Sequence, residues 1–357
     1  MINWKSLSLG LWLACSVAQA DTTSKITIKE LEKQGVFSRN FSIYHVADDG
    51  RTVLAADEPP FNIKKKGILN RLWLIRLNSD LKLDSMQAFD LSVPQIEQAN
   101  FTPDLKSVVL SSKRGADIYR LDLGDGKLTT LMTHTKGNPG FRIHSDVFAT
   151  YLGKIYTIGY FYDAEDNCGP EQMVELDPAT GKCTTVVELE PIQKQLQGIR
   201  VASLRAPVGL TFYTQDKAKN WAVHRWNTSG LAKVDEGKAV TGSWGEGPVA
   251  VYCMRRPEGK SELVLSNAQT GERKVLHSDS QDLLNPVISK EATTVVVAKE
   301  TSPDVCSYWV GQEQDQFALR SLVEKMPRAA IRISHDGRVV SLYHGLQGWT
   351  LIKLDSK

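Results

Sequence analysis

A stretch between residues 58 and 71 concentrates side chains that can bind an anion or a protein surface. Lys64, Lys65 and Lys66 form a basic run, and the ring of Phe61 lies three residues before it. Ammonium groups attract carboxylates and phosphates, whereas an exposed aromatic ring is a typical anchor for a protein partner. The alternative is a solvated turn, in which the lysines only keep the loop in water.

A second stretch, residues 161–170, is acidic. Asp163, Glu165 and Asp166 supply carboxylate oxygens of the kind that a divalent metal ion prefers, although their spacing is not that of an EF-hand loop. Tyr162 adds an aromatic side chain beside them. The pattern predicts the three acidic residues as a candidate metal site and Tyr162 as a candidate ligand contact. A solvated acidic loop is the alternative.

Four arginines lie at or just before apolar segments that we interpret as the innermost strands of a repeated unit. Guanidinium groups placed around one opening would bind carboxylate or phosphate through paired hydrogen bonds. The predicted anion-binding channel mouth consists of Arg39, Arg142, Arg200 and Arg328. The alternative is that these side chains are the polar groups expected at any water-filled opening.

The repeated unit that must position these residues is clearest between Phe101 and Leu131. It reads as a polar turn, an apolar strand, a second turn, an alternating strand, an Asp/Gly turn and a last strand. Large apolar residues near the start of the third strand recur at intervals of 40 to 54 residues, close to the spacing of propeller blades. These residues are Trp73, Tyr119, Met173, Trp221, Leu263, Trp309 and Trp349. The predicted fold class is all-β, a seven-bladed β-propeller of four-stranded antiparallel blades.

The N-terminal part of the chain should close the ring. The last repeat ends after its third strand, while the segment Lys25 to Glu30 has a strand-like pattern and no blade of its own. We therefore predict that residues 25–30 form the outer strand of the seventh blade, which removes an exposed sheet edge. The long stretches 58–71 and 161–170 each connect the second and third strands of a blade, so both should lie on one face.

Residues 1–20 are predicted to be a signal peptide, and residues 21–357 a single propeller domain. Lys5 precedes an apolar run, and Ala18-Gln-Ala20 fits a signal-peptidase site. This pattern indicates an exported protein, either periplasmic or secreted. After removal of Lys5, 42 basic residues balance 41 acidic ones, so composition gives no general attraction to nucleic acid.

Four cysteines remain in the mature chain: Cys168, Cys183, Cys253 and Cys306. The turn at 177–182 sets Leu176 opposite Cys183, which puts Cys168 too far away for a regular bridge unless its loop is irregular. Cys253 and Cys306 fall in adjacent repeats and are equally plausible partners, so the pairing stays open. None forms a Cys-x-x-Cys pair, which argues against a thiol redox centre or a zinc ribbon.

The second repeat resembles a known repeat family. Its segments Phe101-Thr-Pro-Asp104, Asp117-Ile-Tyr119 and Gly126-Lys-Leu128 are similar to the repeat of the TolB-like and WD40-like exported β-propellers of bacteria. The resemblance implies the fold and an exported setting, and a scaffold or binding role more loosely. Its motif residues form turns and packing contacts, so no catalytic position is carried over from it.

The sequence favours binding over catalysis. It contains no nucleophile elbow, His-Glu-x-x-His motif, P-loop or dinucleotide fingerprint, and no stretch apolar enough to span a bilayer. We expect a monomeric, non-catalytic protein without a cofactor, which binds a protein or cell-envelope component through the face that carries 58–71 and 161–170. One alternative is a propeller enzyme, a lactonase, lyase or hydrolase with an axial divalent metal or acid/base site. The other is a binder of a small anionic ligand at the channel mouth.

Overall fold

Seven antiparallel sheets follow one another along the chain and form a ring. The structure is a computed structural model, and it describes residues 22–37, 41–47, 49–112, 117–133, 137–143, 148–196, 199–242, 247–345 and 348–354. For residues 199–206 it describes the backbone alone. The predicted signal peptide lies outside the described residues. The seven-bladed propeller predicted from the repeats is confirmed.

The secondary structure of the described residues is mostly β, with three short helices. The strands, in chain order, are β1 (Thr22–Ile26), β2 (Ser42–Val46), β3 (Thr52–Asp57), β4 (Asn70–Leu77), β5 (Leu83–Leu91), β6 (Ile96–Phe101), β7 (Ser107–Ser112), β8 (Asp117–Asp122), β9 (Leu128–Met132), β10 (Gly140–Ile143), β11 (Ala149–Tyr151), β12 (Lys154–Tyr162), β13 (Cys168–Leu176), β14 (Cys183–Glu188), β15 (Ile199–Ala206), β16 (Gly209–Gln215), β17 (Trp221–Asn227), β18 (Gly230–Gly237), β19 (Ala239–Gly242), β20 (Val249–Arg255), β21 (Ser261–Asn267), β22 (Arg273–Asp279), β23 (Leu283–Ile288), β24 (Thr294–Ser302), β25 (Val305–Gln312), β26 (Arg320–Pro327), β27 (Ala330–Ile333), β28 (Val339–Tyr343) and β29 (Trp349–Lys353). The helices are α1 (Ile28–Lys33), α2 (Phe61–Lys64) and α3 (Glu190–Gln195), and a 3₁₀ turn lies at Glu313–Asp315. Among the described residues, none of the helices is long and apolar enough to cross a membrane.

Each blade is built outwards from the axis as strands A, B, C and D. Blades 1 and 2 consist of β2–β5 and β6–β9, and blade 3 of β10 and β12–β14, with the short β11 also paired to β12. Blades 4, 5 and 6 consist of β15–β18, β19–β22 and β23–β26. Blade 7 combines β27–β29 with β1. Every A strand therefore starts at a D-to-A connection and ends at an A-to-B turn on the opposite face.

The hydrophobic core lies between neighbouring blades. Seven buried clusters separate successive blades around the ring, because the B and C strands bury side chains on both of their faces. Between blades 7 and 1, for example, Trp349 and Trp73 pack with Val53. The Trp349 indole nitrogen donates to Ser341 Oγ at 2.7 Å, which satisfies its one polar group inside the core.

The ring is closed by an N-terminal strand, as predicted, but this strand lies a few residues earlier in the chain than predicted. β1 pairs antiparallel with β29, from Thr22 opposite Lys353 to Ile26 opposite Trp349. The prediction of a strand over 25–30 is wrong from residue 27 onwards, because Thr27 caps the N-terminus of α1. Its hydroxyl accepts from the backbone N–H of Glu30, and the Glu30 carboxylate accepts from the N–H of Thr27, a reciprocal pair of hydrogen bonds that starts a helix.

Glycines in the A-to-B turns allow neighbouring blades to approach closely. Gly50 in blade 1 and Gly337 in blade 7 both have positive φ, at 64° and 73°. A Cβ atom at Gly50 would collide with the Val339 side chain of blade 7, and one at Gly337 with Thr294 of blade 6. Glycine is required at both positions by conformation and by space.

Cys168, Cys183, Cys253 and Cys306 are free thiols in this structure. Cys183 pairs in register with Leu176, as the hairpin predicted, and Cys168 lies at the other end of β13. Cys253 and Cys306 are buried in different inter-blade clusters. Burial raises the pKa of the Cys183 thiol to about 12, so it stays protonated and unreactive at neutral pH.

Candidate functional site

A cavity of about 520 Å³ lies on the propeller axis, between the inner strands. Its volume is within the range of small-molecule sites. Most of its polar lining comes from β2, β6, β23 and β27 and from the A-to-B turns of blades 6 and 7. These polar residues are Tyr44, His45, Gln98, Asn285, Lys290, Arg332 and His335. Since Lys290 and His335 follow the ends of their A strands, the charged groups lie towards the channel end opposite to the long connections.

Irregular inner strands help to aim side chains into this cavity. The A-to-B register shifts between Ile43 and His45 in blade 1 and between Ile96 and Gln98 in blade 2. In blade 6 it shifts after Leu284, and Asn285 adopts the left-handed conformation with φ of 47°. Bulges of this kind re-aim side chains and are frequent next to functional sites.

Arg332 is the central cation of the cavity. Its neighbours in β27, Ile331 and Ile333, pack against the core between blades 6 and 7. Because side chains alternate along a strand, the side chain of Arg332 points the other way, towards the axis. Its Nε donates to the carbonyl oxygen of Tyr44 at 3.3 Å, and its Nη1 to that of Ile331 at 3.0 Å. Within the described part of the chain, no carboxylate forms an ion pair with it. Burial lowers the pKa of Arg332 from its usual value, although a guanidinium remains charged at neutral pH.

Two histidines lie close to this cation. The ring centroids of His45 and His335 are 5.2 Å apart, with the rings nearly perpendicular. Burial lowers the pKa of His45 to about 3, and the positive charges of His335, Lys290 and Arg332 act in the same direction. Burial also lowers the pKa of His335 to about 4, against a small opposing effect of Asp336. Both imidazoles are therefore neutral at pH 7.

The acidic groups near the cavity have other roles in the fold. The carboxylate of Asp336 accepts hydrogen bonds from Ser334 Oγ at 2.7 Å and from the backbone N–H of Arg338 at 3.0 Å, which fixes the A-to-B turn of blade 7. Glu97 lies near Tyr44, and burial followed by the charge of Glu97 raises the pKa of Tyr44 to about 12. Tyr44 donates its hydroxyl proton to the carbonyl oxygen of Ile96 at 2.8 Å. The cavity thus has a net positive lining.

The axial residues do not fit a divalent metal ion. No cluster of three or more His, Cys, Asp and Glu side chains suited to a metal occurs among the described residues. His45 and His335 offer two imidazole nitrogens, but Arg332 and Lys290 are positive and oppose a further cation. The donor set favours an anion.

The basic stretch 58–71 forms an exposed prominence on the face of the long connections. Phe61, at the start of α2, is 70% exposed, and the Lys65 ammonium lies 4.9 Å from the centre of its ring. Lys64 forms an ion pair with Glu58, whereas Lys66 is exposed to solvent. Arg71, at the end of the stretch, instead bonds Asp90 and stacks on Trp73.

The acidic stretch 161–170 contains a self-contained turn. The Asp163 carboxylate accepts from the backbone N–H groups of Glu165 and Asn167, at 3.0 and 2.8 Å, and from the Asn167 amide at 3.0 Å. Hydrogen bonds from Asn167, in its side chain and backbone, hold the pKa of Asp163 below its usual value. Asp166 takes the left-handed conformation at the turn, with φ of 64°. Tyr162 is only 5% exposed, so its ring faces the interior rather than a ligand.

Of the four arginines predicted at the channel mouth, the structure describes the side chains of Arg142 and Arg328, and neither lines the axial cavity. Arg39 lies outside the described residues, and Arg200 is placed only by its backbone, on β15 opposite Thr214. Arg142 lies on β10 opposite Tyr160, and the side chains of the two residues form a hydrogen bond. Arg328 is exposed just before β27.

Arg332, His45 and His335 were not among the candidate site residues predicted from the sequence. The predicted arginines lie at or just before the inner strands, whereas the cavity is lined from within those strands and from the turns after them. The pattern Ala330-Ile331-Arg332-Ile333 contained the signal, because the polar member of an alternating inner strand must face the axis.

Comparisons with known proteins agree on the fold. No family model matches the chain, and no curated protein matches it by sequence. An oligogalacturonate lyase from Vibrio parahaemolyticus is similar in structure at 10% identity and a TM-score of 0.58, over 94% of this chain and 98% of that one. Another, an oligogalacturonate lyase in complex with manganese, is 12% identical with a TM-score of 0.56, over 89% and 96%. TolB from Acinetobacter baumannii is 15% identical with a TM-score of 0.42, over 79% and 66%. The likeness to the two lyases, at 10% and 12% identity, shows the fold alone.

Proposed function

We propose that the protein binds a small anionic ligand in the axial cavity. The observation that carries the proposal is Arg332, an exposed guanidinium that lines the axial cavity, donates to two backbone carbonyls and has no ion-pair partner among the described residues. A guanidinium that faces a water-filled cavity can bind a carboxylate or phosphate through paired hydrogen bonds. A carboxylate or phosphate group of a ligand would complete the site with charge-assisted hydrogen bonds.

The remaining lining suits a ligand that also carries hydroxyl groups. Gln98 and Asn285 bring side-chain amides to the cavity, and each amide both donates and accepts hydrogen bonds. Lys290 adds a second positive charge at the far end. Oligogalacturonate, the substrate in the names of two similar structures, is a sugar chain with carboxylates. D-galacturonate therefore belongs among the first probes, with D-gluconate and inorganic sulfate.

Replacing Arg332 with glutamine is expected to weaken binding of these probes about tenfold to hundredfold, since hydrogen bonds to a charged group contribute about 1.5–3 kcal/mol. Isothermal titration calorimetry at pH 7 measures the change. Arg328→Gln is the matched control, because Arg328 precedes the same strand but is exposed outside the cavity. Equal affinities in wild type and Arg332→Gln, or an equal loss in both variants, would overturn the proposal.

We infer a second candidate function for the opposite face, the capture of a protein of the cell envelope. The observation in its favour is the exposure of Phe61, 70%, beside the exposed Lys65 and Lys66. An exposed aromatic ring with flanking positive charges suits a partner with an apolar pocket and an acidic rim. The two functions use different ends of the ring and do not exclude each other.

Phe61→Ser is expected to reduce capture of this partner at least fivefold in a pull-down from an envelope fraction, because the variant removes the apolar anchor and leaves the fold intact. Leu152→Ser is the control: Leu152 is 78% exposed in the turn between β11 and β12, on the other face. Capture that is unchanged in Phe61→Ser would exclude this face as the binding surface.

A further inference from the structure

The two axial histidines and Arg332 form one electrostatic unit. The His45 ring contacts His335 edge-on and also Phe101, with ring centroids 5.2 and 5.5 Å apart. Arg332 donates to the carbonyl oxygen of Tyr44, the residue before His45, so the guanidinium is anchored on the same strand. Any anion that contacts Arg332 in this cavity therefore also comes close to the imidazoles.

The groups that surround the histidine pair come from four neighbouring blades. Arg332 and Lys290 contribute positive charge, and the phenol of Tyr44 is un-ionised. Acidic residues also lie in these blades: Glu97 on β6 acts on Tyr44, Asp336 acts on His335, and the backbone N–H of Glu291 donates to the carbonyl oxygen of His335. The cations act directly on His45, while Asp336 has only a small effect on His335.

The protonation equilibrium of the two histidines is expected to change when an anion enters the cavity. Without a ligand, burial keeps both imidazoles neutral, and Lys290 and Arg332 add to this effect at His45, so each ring can donate only one hydrogen bond. A carboxylate or sulfate beside Arg332 would cancel that positive field and offer acceptor oxygens to the rings. The imidazolium form, with two N–H donors, then becomes the favoured partner.

Resting on the anion site proposed above, we propose that the axial cavity takes up protons together with its ligand: His45 and His335 become imidazolium ions as the anion binds, and the ligand is held more tightly as the pH falls. The protons come from the solvent, and no covalent bond to the ligand is made or broken. In effect, the site captures anions in mildly acidic surroundings and releases them as the pH rises.

The size of the effect follows from linkage. If binding restores one histidine to its ordinary pKa of about 6.5, the affinity rises about tenfold between pH 7.5 and pH 5.5. If the second histidine responds in the same way, the ratio of the affinities at pH 5.5 and pH 7.5 increases by a further factor of up to about ten. A probe that stays ionised over this range, such as sulfate or D-gluconate, contributes no protonation of its own.

The binding experiment is calorimetric titration of sulfate and D-gluconate at pH 5.5, 6.5 and 7.5, in buffers of different ionisation enthalpy. We expect about one to two protons taken up at pH 5.5 and an affinity at least tenfold higher than at pH 7.5. His45→Gln and His335→Gln should each reduce this ratio of affinities, whereas His224→Gln, at a histidine hydrogen-bonded to Thr214 in blade 4, should leave it unchanged. Binding without proton uptake would overturn the inference and leave the anion site standing.

A measurement without ligand tests the same electrostatic unit. Because Arg332 acts to lower the pKa of His45, Arg332→Gln should raise it, and NMR titration of the imidazole resonances measures the shift. Identical titration of His45 in wild type and Arg332→Gln would overturn the inference whatever the probes do. A raised pKa in the variant together with no probe binding to the wild type would instead contradict the proposed function.

Discussion

Replacing Ile26 with aspartate is expected to lower the free energy of unfolding by about 3–5 kcal/mol, since the variant removes a buried aliphatic side chain and puts a carboxylate in its place. Ile26 is 3% exposed on β1 and packs in the cluster between blades 7 and 1, opposite Trp349. It is the main apolar contact of the strand that closes the ring. Urea unfolding followed by tryptophan fluorescence measures the loss.

The neighbouring residue provides the control for this prediction. Lys25 lies on the same strand, one position away, and faces solvent because side chains alternate along a strand. Lys25→Asp makes the same replacement on the outer side, so its expected effect is within about 0.5 kcal/mol. A small effect of Ile26→Asp, or equal effects in both variants, would show that β1 does not hold the ring closed.

Replacing Asp235 with alanine is expected to cost about 2–3 kcal/mol, because two partly buried arginines lose one of the two carboxylates that they share and keep only Glu262. Asp235, on the outer strand of blade 4, has a side chain 6% exposed. It binds Arg256 of blade 5 at 2.6 Å and Arg273 at 2.8 Å, and accepts the hydroxyl of Tyr252 at 3.0 Å. Urea unfolding at pH 7 measures the change.

The pH dependence of this network has a defined sign. Burial alone would raise the pKa of Asp235, but the hydrogen bonds from Arg256 and Arg273 outweigh it and hold the pKa below its usual value. Its stabilising contribution is thus complete above pH 4 and is lost only as the pH falls through the lowered pKa. The difference between wild type and Asp235→Ala should therefore be constant from pH 6 to pH 8.

Glu236→Ala is the matched control for the network. Glu236 is the next residue, its side chain is 70% exposed, and it pairs with Lys233 on the surface. Exposed ion pairs contribute about 0–1 kcal/mol. If both variants lost the same small amount of stability, the network between blades 4 and 5 would not be the buried contact that the structure describes.

Much of the fold was predictable because turns and strand patterns are local. The Asp/Gly turns around Asp49-Gly50 and Asp336-Gly337 form in the structure where the sequence placed them, since Asp caps its own backbone and Gly accepts positive φ. The incorrectly predicted end of the closing strand also depends on local interactions. Thr27 and Glu30 have the spacing of a capping pair, and this helix start was not part of the prediction.

The candidate site was much less predictable. The loops 58–71 and 161–170 were predicted as sites from their composition. In the structure, however, the Asp163 carboxylate accepts hydrogen bonds within its own turn, and Tyr162 is buried. Composition does not show whether a carboxylate is already satisfied by neighbouring N–H groups. The residues of the axial cavity are single polar positions within apolar strands, and nothing in their local sequence says that His45 and His335 meet across 290 residues of chain.

By itself, therefore, the sequence determined the ring: the blade count, the strand order and the closure by an N-terminal strand all follow from local turn chemistry and the alternation of side chains. Only the tertiary structure decided what lies on the axis. Blade 1 and blade 7 are far apart in sequence and become neighbours when β1 pairs with β29, and this closure brings His45 to His335 and Arg332. A site assembled from one or two residues per blade forms no contiguous motif, because it exists only once the ring is closed.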